Sequence, residues 1–290
     1  MELTDINELK KLMSRCGFTF SKALGQNFIT DPEVCPKMAE LAGIAPEDGV
    51  IEIGPGVGVL TVELAKKAKN VVSIELDTRL IPVLAKTLDG FLNVQVLNRD
   101  VLKTDLRALT EEHFAGQKVH ICANLPYYIT SPIIMYILES RLPVESLTLM
   151  VQKEAGERLC APVGSRDSGA ITVAVNYYAE AKMLFPVGRE SFTPSPKVDS
   201  EVIQLNIRKT PPVTVKNEKI FFDVVKAAFS QRRKTAANGL SSGLSLPKEK
   251  VNAAIAEAGL SSSVRAEALT MEELARLSDC LYALRAAGTE

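Results

Sequence analysis

The stretch VIEIGPGVGVLTVELA, residues 50–65, holds the turn on which the fold reading depends. Val50 to Ile53 is a short apolar run of the kind that fills a buried strand. Gly54-Pro55-Gly56-Val57-Gly58 follow, and a helical pattern begins near Leu60. Glycines turn the backbone tightly and let a ligand approach where a Cβ would stand. Working outward, the same alternation recurs. Short apolar runs lie at VVSI (71–74), VQVL (94–97), VHICA (119–123) and LTLMV (147–151), with helical stretches such as VLTVELAKKA (59–68) and TRLIPVLAKTL (78–88) between them. Four- and five-residue strands alternating with helices predict an α/β fold with a doubly wound, mostly parallel sheet.

The flanks differ in character. Residues 1–49 read as helical and polar, interrupted by SKALGQNFITDP. GAITVAVNYY (169–178) is ambiguous between helix and strand. VDSEVIQLNI (198–207) alternates apolar and polar residues and reads as a strand, antiparallel at the end of the sheet. TPPVTV (210–215) breaks the pattern, which places a domain boundary near 210. Residues 211–290 then read as a small all-helical domain, with three-to-four spacing in IFFDVVKAAF, KEKVNAAIAEAGL and MEELARLSDCLYALRAA.

Composition excludes several classes. With 290 residues and 46% hydrophobic content the chain can bury a large core. A formal net charge of −1 argues against a general polycation coating nucleic acid, while leaving local patches open. Five scattered cysteines and only two histidines offer no zinc-ligand spacing, so no metal is expected, and they suit a reducing cytoplasm. No signal-type segment and no apolar run near the roughly 20 residues of a membrane span are present, so a cytoplasmic protein without membrane contact is expected.

The glycine loop has a companion acid. Glu75 closes the next strand, 21 residues after Gly54, where a carboxylate accepts hydrogen bonds from ribose hydroxyls. A dinucleotide loop spaces its glycines G-x-G-x-x-G. Here the order is G-P-G-V-G, with the third glycine one residue early. A cofactor without a pyrophosphate has less need of a helix N-terminus as an anion cradle, so the spacing leans toward S-adenosylmethionine. Asp100, just after the third run, is placed to accept from an adenine amine, with the Val101 backbone beside it. Taken alone, Asp100 also reads as a turn cap.

A second stretch, ANLPYYITSPI (123–133), sits at the end of the fourth run. An exocyclic adenine amine is a poor nucleophile, because its lone pair is delocalised into the ring. Acceptors on both amine hydrogens localise that pair. The Asn124 side-chain oxygen supplies one, and the Leu125 carbonyl the other, since Pro126 biases Leu125 away from helix. Tyr127 is placed to stack on the base, an interaction worth roughly 1–3 kcal/mol.

These motifs together resemble those of the ribosomal RNA adenine N6-dimethyltransferases, and most of all the bacterial small-subunit (16S) enzymes, over nearly the whole chain. LGQNFITD (24–31), IEIGPGVGVLT, NLPYYITSPI, MVQKEAGERL (150–159), FTPSPKVDSEV (192–202) and AFSQRRKTAANGL (228–240) each look like a family signature. The resemblance implies a class I S-adenosylmethionine-dependent methyltransferase fold, Rossmann-like, over residues 1–210. It implies cofactor contacts at Asn27, Ile29, Gly54, Gly56, Glu75, Asp100, Val101 and Asn124. It implies catalysis at Asn124, Leu125, Pro126 and Tyr127, with Phe192 sandwiching the target base against the tyrosine. The implied reaction dimethylates two adjacent adenosines near the 3′ end of 16S rRNA, in a partly assembled small subunit.

Residues 216–234 carry six basic side chains against two acidic ones, and Arg232, Arg233 and Lys234 are the expected phosphate contacts. Lys10, Lys11, Arg15 and Lys22 form a second basic set. A monomer is expected, because no long apolar stripe is left over. Three other readings stay in view: a large-subunit rRNA methyltransferase, an RNA-binding assembly factor with little activity, and a nicotinamide dehydrogenase. The methylated RNA separates the first two, and cofactor binding tests the third.

Overall fold

A computed structural model describes residues 3–18, 26–231 and 233–286. It contains two compact units, Met1–Gly156 with Ala181–Ile207, and Glu157–Glu180 with Arg208–Glu290.

In the first unit, helix α1 (Ile6–Arg15) begins where the Asp5 carboxylate accepts from the Asn7 and Glu8 amides. Strand β1 (Phe28–Ile29), helix α2 (Val34–Leu41), strand β2 (Gly49–Ile53) and helix α3 (Val59–Ala65) follow. Next come β3 (Asn70–Glu75), α4 (Ile81–Thr87), β4 (Val94–Asn98), α5 (Leu106–His113), β5 (Val119–Asn124), α6 (Thr130–Glu139), β6 (Ser146–Gln152) and α7 (Lys153–Leu159). The chain then passes through α8 (Ala170–Tyr178), which belongs to the second unit, and continues with β7 (Ala179–Val187), β8 (Phe192–Thr193) and β9 (Ser200–Ile207).

Seven strands form one sheet in the order β4-β3-β2-β5-β6-β9-β7. Pairing is parallel from β4 through to β6, and β9 runs antiparallel to β6 with Ser146 opposite Asn206. All five β2 residues and the first five of β5 are buried, because helices cover both faces; such strands read as unbroken apolar runs. The strand order reverses between β2 and β5, and a crevice opens there beyond the carboxyl ends of the strands. A separate antiparallel pair joins β1 to β8, with Ile29 opposite Phe192.

A buried polar network sits at the other end of the sheet. His120 Nδ1 lies 2.9 Å from Ser146 Oγ, and its Nε2 lies 3.1 Å from Asp48 Oδ2. It ties the amino ends of β2, β5 and β6 together.

The second unit contains α9 (Glu218–Ala228), α10 (Ala236–Leu244), α11 (Lys248–Glu257) and α12 (Met271–Ala286). Asn217 caps α9 by accepting from the Ile220 amide. Helices α9 and α10 pack so closely that a Cβ on Gly239 would stand 2.6 Å from the Ala227 carbonyl oxygen.

The chain enters the second unit at Arg208, close to the expected 210, but Glu157–Glu180 also groups with the C-terminal helices. The ambiguous stretch forms α8, and its aromatic end explains the grouping. The Tyr177 and Tyr178 hydroxyls donate to the Glu218 carboxylate at 3.3 and 2.9 Å, and the two rings pack with Phe221 and Phe222. The Arg208 guanidinium donates to the Asn176 and Ala179 carbonyls and to Glu180. None of these partners is near in sequence, so a linker-like composition at 210–215 did not reveal them.

Candidate active site

The crevice at the strand ends is a pocket within the first unit. Four successive strand ends and the β1 segment supply its walls. From β1 and the residues before it come Asn27 and Ile29; from the loop after β2, Gly54 and Gly56; from the end of β3, Glu75. Asp100 and Val101 follow β4, and Asn124, Leu125, Pro126 and Tyr127 follow β5. The structure thus brings together every expected cofactor and catalytic residue, although Asn27 and Tyr127 stand 100 positions apart in the chain.

The glycine loop works by conformation. Gly54 and Gly56 have φ of +70° and +60°, a region that residues with a Cβ enter at a cost of about 1–2 kcal/mol. Nothing stands within 4 Å of a Cβ built on Gly54. On Gly56 it would stand 3.4 Å from the Phe28 ring. The loop is therefore open to a ligand at its first glycine and closed by Phe28 at its second.

Glu75 is 6% exposed. Its Oε1 accepts from the Asp77 amide at 2.8 Å and its Oε2 from the Gly56 amide at 3.4 Å. Burial outweighs these bonds and pushes its carboxyl up to about 6. The Asn98 side-chain amide donates to the Glu75 carbonyl at 2.7 Å and holds the end of β3 against β4. Beside it, Asp77 receives Arg79 at 2.6 Å and the Gln26 amide at 2.9 Å. Hydrogen bonding from Arg79 holds the Asp77 carboxyl down at about 2.

Asp100 does cap a turn, since its Oδ1 accepts from the Leu102 amide at 3.0 Å. Its Oδ2 has Lys103 at 3.6 Å, and the carboxylate still lies on the pocket wall. Capping the turn therefore does not take the carboxylate off the pocket wall.

At the end of β5 the Leu125 amide donates to the Met150 carbonyl at 3.2 Å and fixes the turn. The Pro126 carbonyl accepts from the Ile129 amide and the Thr130 hydroxyl, so a single helical turn, Tyr127–Ile129, starts directly after it. Among the described residues no hydrogen bond engages the Asn124 side chain or the Leu125 carbonyl. Tyr127 Oη lies 2.7 Å from Ser200 Oγ. Burial raises the Tyr127 phenol above its ordinary value, against the pull of Ser200.

Phe192 is placed differently from expectation. It is 3% exposed, packs in an apolar cluster with Ile29, Val34 and Cys35, and does not line the pocket. Its antiparallel pairing with β1 turns the ring into that cluster. Arg233 and Lys234 lie exposed on the second unit, ahead of α10, and Arg232 lies outside the described residues, as do Lys22, Leu24 and Gly25. Within that unit Lys234 lines a cleft with Arg158, Arg166 and Gln231 at the start of α8. Ser168 lines the same cleft, and its buried Oγ has no hydrogen-bond partner among the described residues.

Glu52 was not among the expected residues. It is 1% exposed and lines the pocket. Its Oε2 accepts from Thr61 at 2.6 Å and Ser73 at 2.7 Å, while Oε1 is buried with no hydrogen-bond partner among the described residues. Burial pushes its carboxyl up to about 7. A carboxylate inside the apolar run VIEI was the available signal.

The arrangement fits S-adenosylmethionine. Ile53, Ile74, Leu80 and Val101 give the pocket apolar walls, Glu75 and Asp100 give acceptors at separate points, and Gly54 leaves room for close approach. The orphaned Glu52 Oε1 is a further acceptor, suited to a cationic group. Among the described residues no group of three or more His, Cys, Asp or Glu side chains could hold a metal ion, and no helix is long and apolar enough to cross a membrane.

Comparisons with known proteins show the family. The family described as ribosomal RNA adenine dimethylase matches residues 17–282. The ribosomal RNA small subunit methyltransferase A of Geobacillus thermodenitrificans is 47% identical over 279 residues, 95% of each chain. That of Shouchella clausii is 47% identical over 274 residues, 93% of each chain. Among solved structures, the 23S rRNA methyltransferase ErmE is 29% identical with a TM-score of 0.65, covering 88% of this chain and 100% of that one. A dimethyladenosine transferase from Plasmodium falciparum is 27% identical with a TM-score of 0.72, covering 90% and 98%. With a methyl-donor pocket at the switch point of its sheet and a family match over nearly its full length, the chain belongs to the ribosomal RNA adenine dimethylases.

Proposed function

We propose that this enzyme methylates N6 of two adjacent adenosines, twice each, in the 16S rRNA of a partly assembled small ribosomal subunit. The observation that carries the reading is the Asn124–Tyr127 turn, which opens into the same pocket as Glu75 and Asp100. S-adenosylmethionine, when bound, supplies a methyl group on a sulfonium that is already a good leaving group.

The rest of the chemistry falls to the chain. Glu75 accepts from the ribose hydroxyls and Asp100 from the adenine amine of the donor. The Asn124 side-chain oxygen and the Leu125 carbonyl accept from the target amine and localise its lone pair. The Tyr127 ring, held by Ser200, stacks on the target base. No histidine is needed, because orientation and fixed dipoles supply most of the acceleration. A monomethylated amine keeps one hydrogen for these acceptors, and after two transfers none remains. Arg233, Lys234 and the cleft with Arg158 and Arg166 are suited to backbone phosphates.

The small-subunit target rests on relatives of that name at 46–47% identity, against 29% for a large-subunit enzyme. The test is transfer of labelled methyl groups to small and large subunits from an unmethylated strain, followed by nucleoside analysis. Dimethyladenosine in the small-subunit RNA, absent with Asn124→Ala, supports the reading. Label in the large-subunit RNA alone overturns it. Asn124→Ala protein that still binds pre-subunits would separate a role in assembly from catalysis.

A further inference from the structure

Two tyrosines stand side by side in the turn after Pro126, and the structure treats them differently. Tyr127 is half-buried with its hydroxyl fixed on Ser200. Tyr128 is 60% exposed, lines the same pocket, and has no hydrogen bond or ring contact among the described residues. A tight turn of about three residues per revolution points successive side chains in different directions, so the two rings do not share a surface.

Among the described residues six large apolar side chains are exposed, and most of them do not line the pocket. Among the described residues only Leu76 and Tyr128 both stand exposed and line it. Leu76 follows Glu75 and belongs to the donor side. Tyr128 follows the turn that carries the target-amine acceptors, and it alone of the two has a π face.

The proposed reaction requires a target base turned out of its stack. That movement strips a stacking face from the neighbouring nucleotide. We infer that the Tyr128 ring stacks on the base next to the target and replaces the lost neighbour. This inference rests on the RNA-adenine reading above. It assigns Tyr128 substrate binding without base identity, since every base offers a π face. It also explains an aromatic ring left in water, where burial would otherwise stabilise it.

The test compares Tyr128→Ala and Tyr128→Phe with the parent enzyme on small subunits from an unmethylated strain, measuring KM, kcat and the dissociation constant for S-adenosylmethionine. Loss of one stacked base, at roughly 1–3 kcal/mol, corresponds to a rise of about 5- to 150-fold in the subunit KM. The expected result is that rise for Tyr128→Ala, with kcat and donor affinity within about twofold of the parent. Tyr128→Phe, which keeps the ring, should retain the parent KM. An unchanged KM in Tyr128→Ala overturns the inference, as does an equal rise in Tyr128→Phe or a loss confined to donor binding. A parent enzyme inactive on small subunits removes the RNA reading and this inference together, whereas an active parent with an indifferent Tyr128 removes the inference alone.

Discussion

Tyr127 and Ser200, 73 residues apart, are joined by a 2.7 Å hydrogen bond between their hydroxyls. The bond fastens the turn after β5 to the first residue of β9, a fully buried position. It fixes the ring that the proposed mechanism sets against the target base. Ser200→Ala should leave the fold nearly intact, with a cost of about 1 kcal/mol. Activity on small subunits should fall roughly fivefold or more through kcat, because a mobile ring holds the base less well. Single-turnover kinetics and thermal unfolding check both parts.

Donor affinity should depend on pH through Glu75. Burial raises its carboxyl to about 6, so the group is largely protonated below that pH and ionised above it. In the proposed binding mode the ionised form accepts two ribose hydroxyls, so affinity should rise as pH increases through about 6 and level off above 7. Calorimetric titration with S-adenosylmethionine between pH 5 and 8 measures this. Glu75→Gln should weaken binding at pH 7.5 by tenfold or more and flatten the profile, since charge-assisted bonds are worth roughly 1.5–3 kcal/mol each.

Stability should carry the opposite slope because of Glu52. Its folded-state carboxyl titrates at about 7 against an ordinary value of 4.5. Below the ordinary value the group is protonated in both states and costs nothing. As pH rises from about 4.5 to about 7 the unfolded chain ionises this group while the fold keeps it protonated, so roughly 3 kcal/mol is lost by the time pH passes about 7. Denaturant unfolding of the ligand-free protein at pH 5 and pH 8 should show the decline, and Glu52→Gln should remove most of it.

The Asp48–His120–Ser146 network should matter for stability and not for the site. His120→Ala leaves two buried partners short of a bond and should cost roughly 1–3 kcal/mol. The network lies at the amino ends of the strands, away from the pocket at their carboxyl ends, so donor affinity should not change. A shift in affinity without a shift in unfolding midpoint would contradict this assignment.

The sheet and much of the pocket were legible in the amino-acid order for a physical reason. Parallel strands covered on both faces are continuous apolar runs, and their carboxyl ends converge. A glycine loop after one strand and acids or amides after the next three therefore mark one crevice before any contact is known. The chain by itself thus determined the parallel core and the positions of Gly54, Glu75, Asp100 and Asn124 around a common site. Tertiary structure decided what depends on distant partners. It turned Phe192 inward by pairing β8 with β1, fixed Tyr127 on Ser200 while leaving Tyr128 in solvent, and left one oxygen of Glu52 with no hydrogen-bond partner among the described residues. It also drew Glu157–Glu180 to the C-terminal helices through Tyr177, Tyr178 and Arg208. Local periodicity reports which face of an element is apolar. It carries no record of which distant element will cover that face, and those pairings arise only when the chain crosses itself.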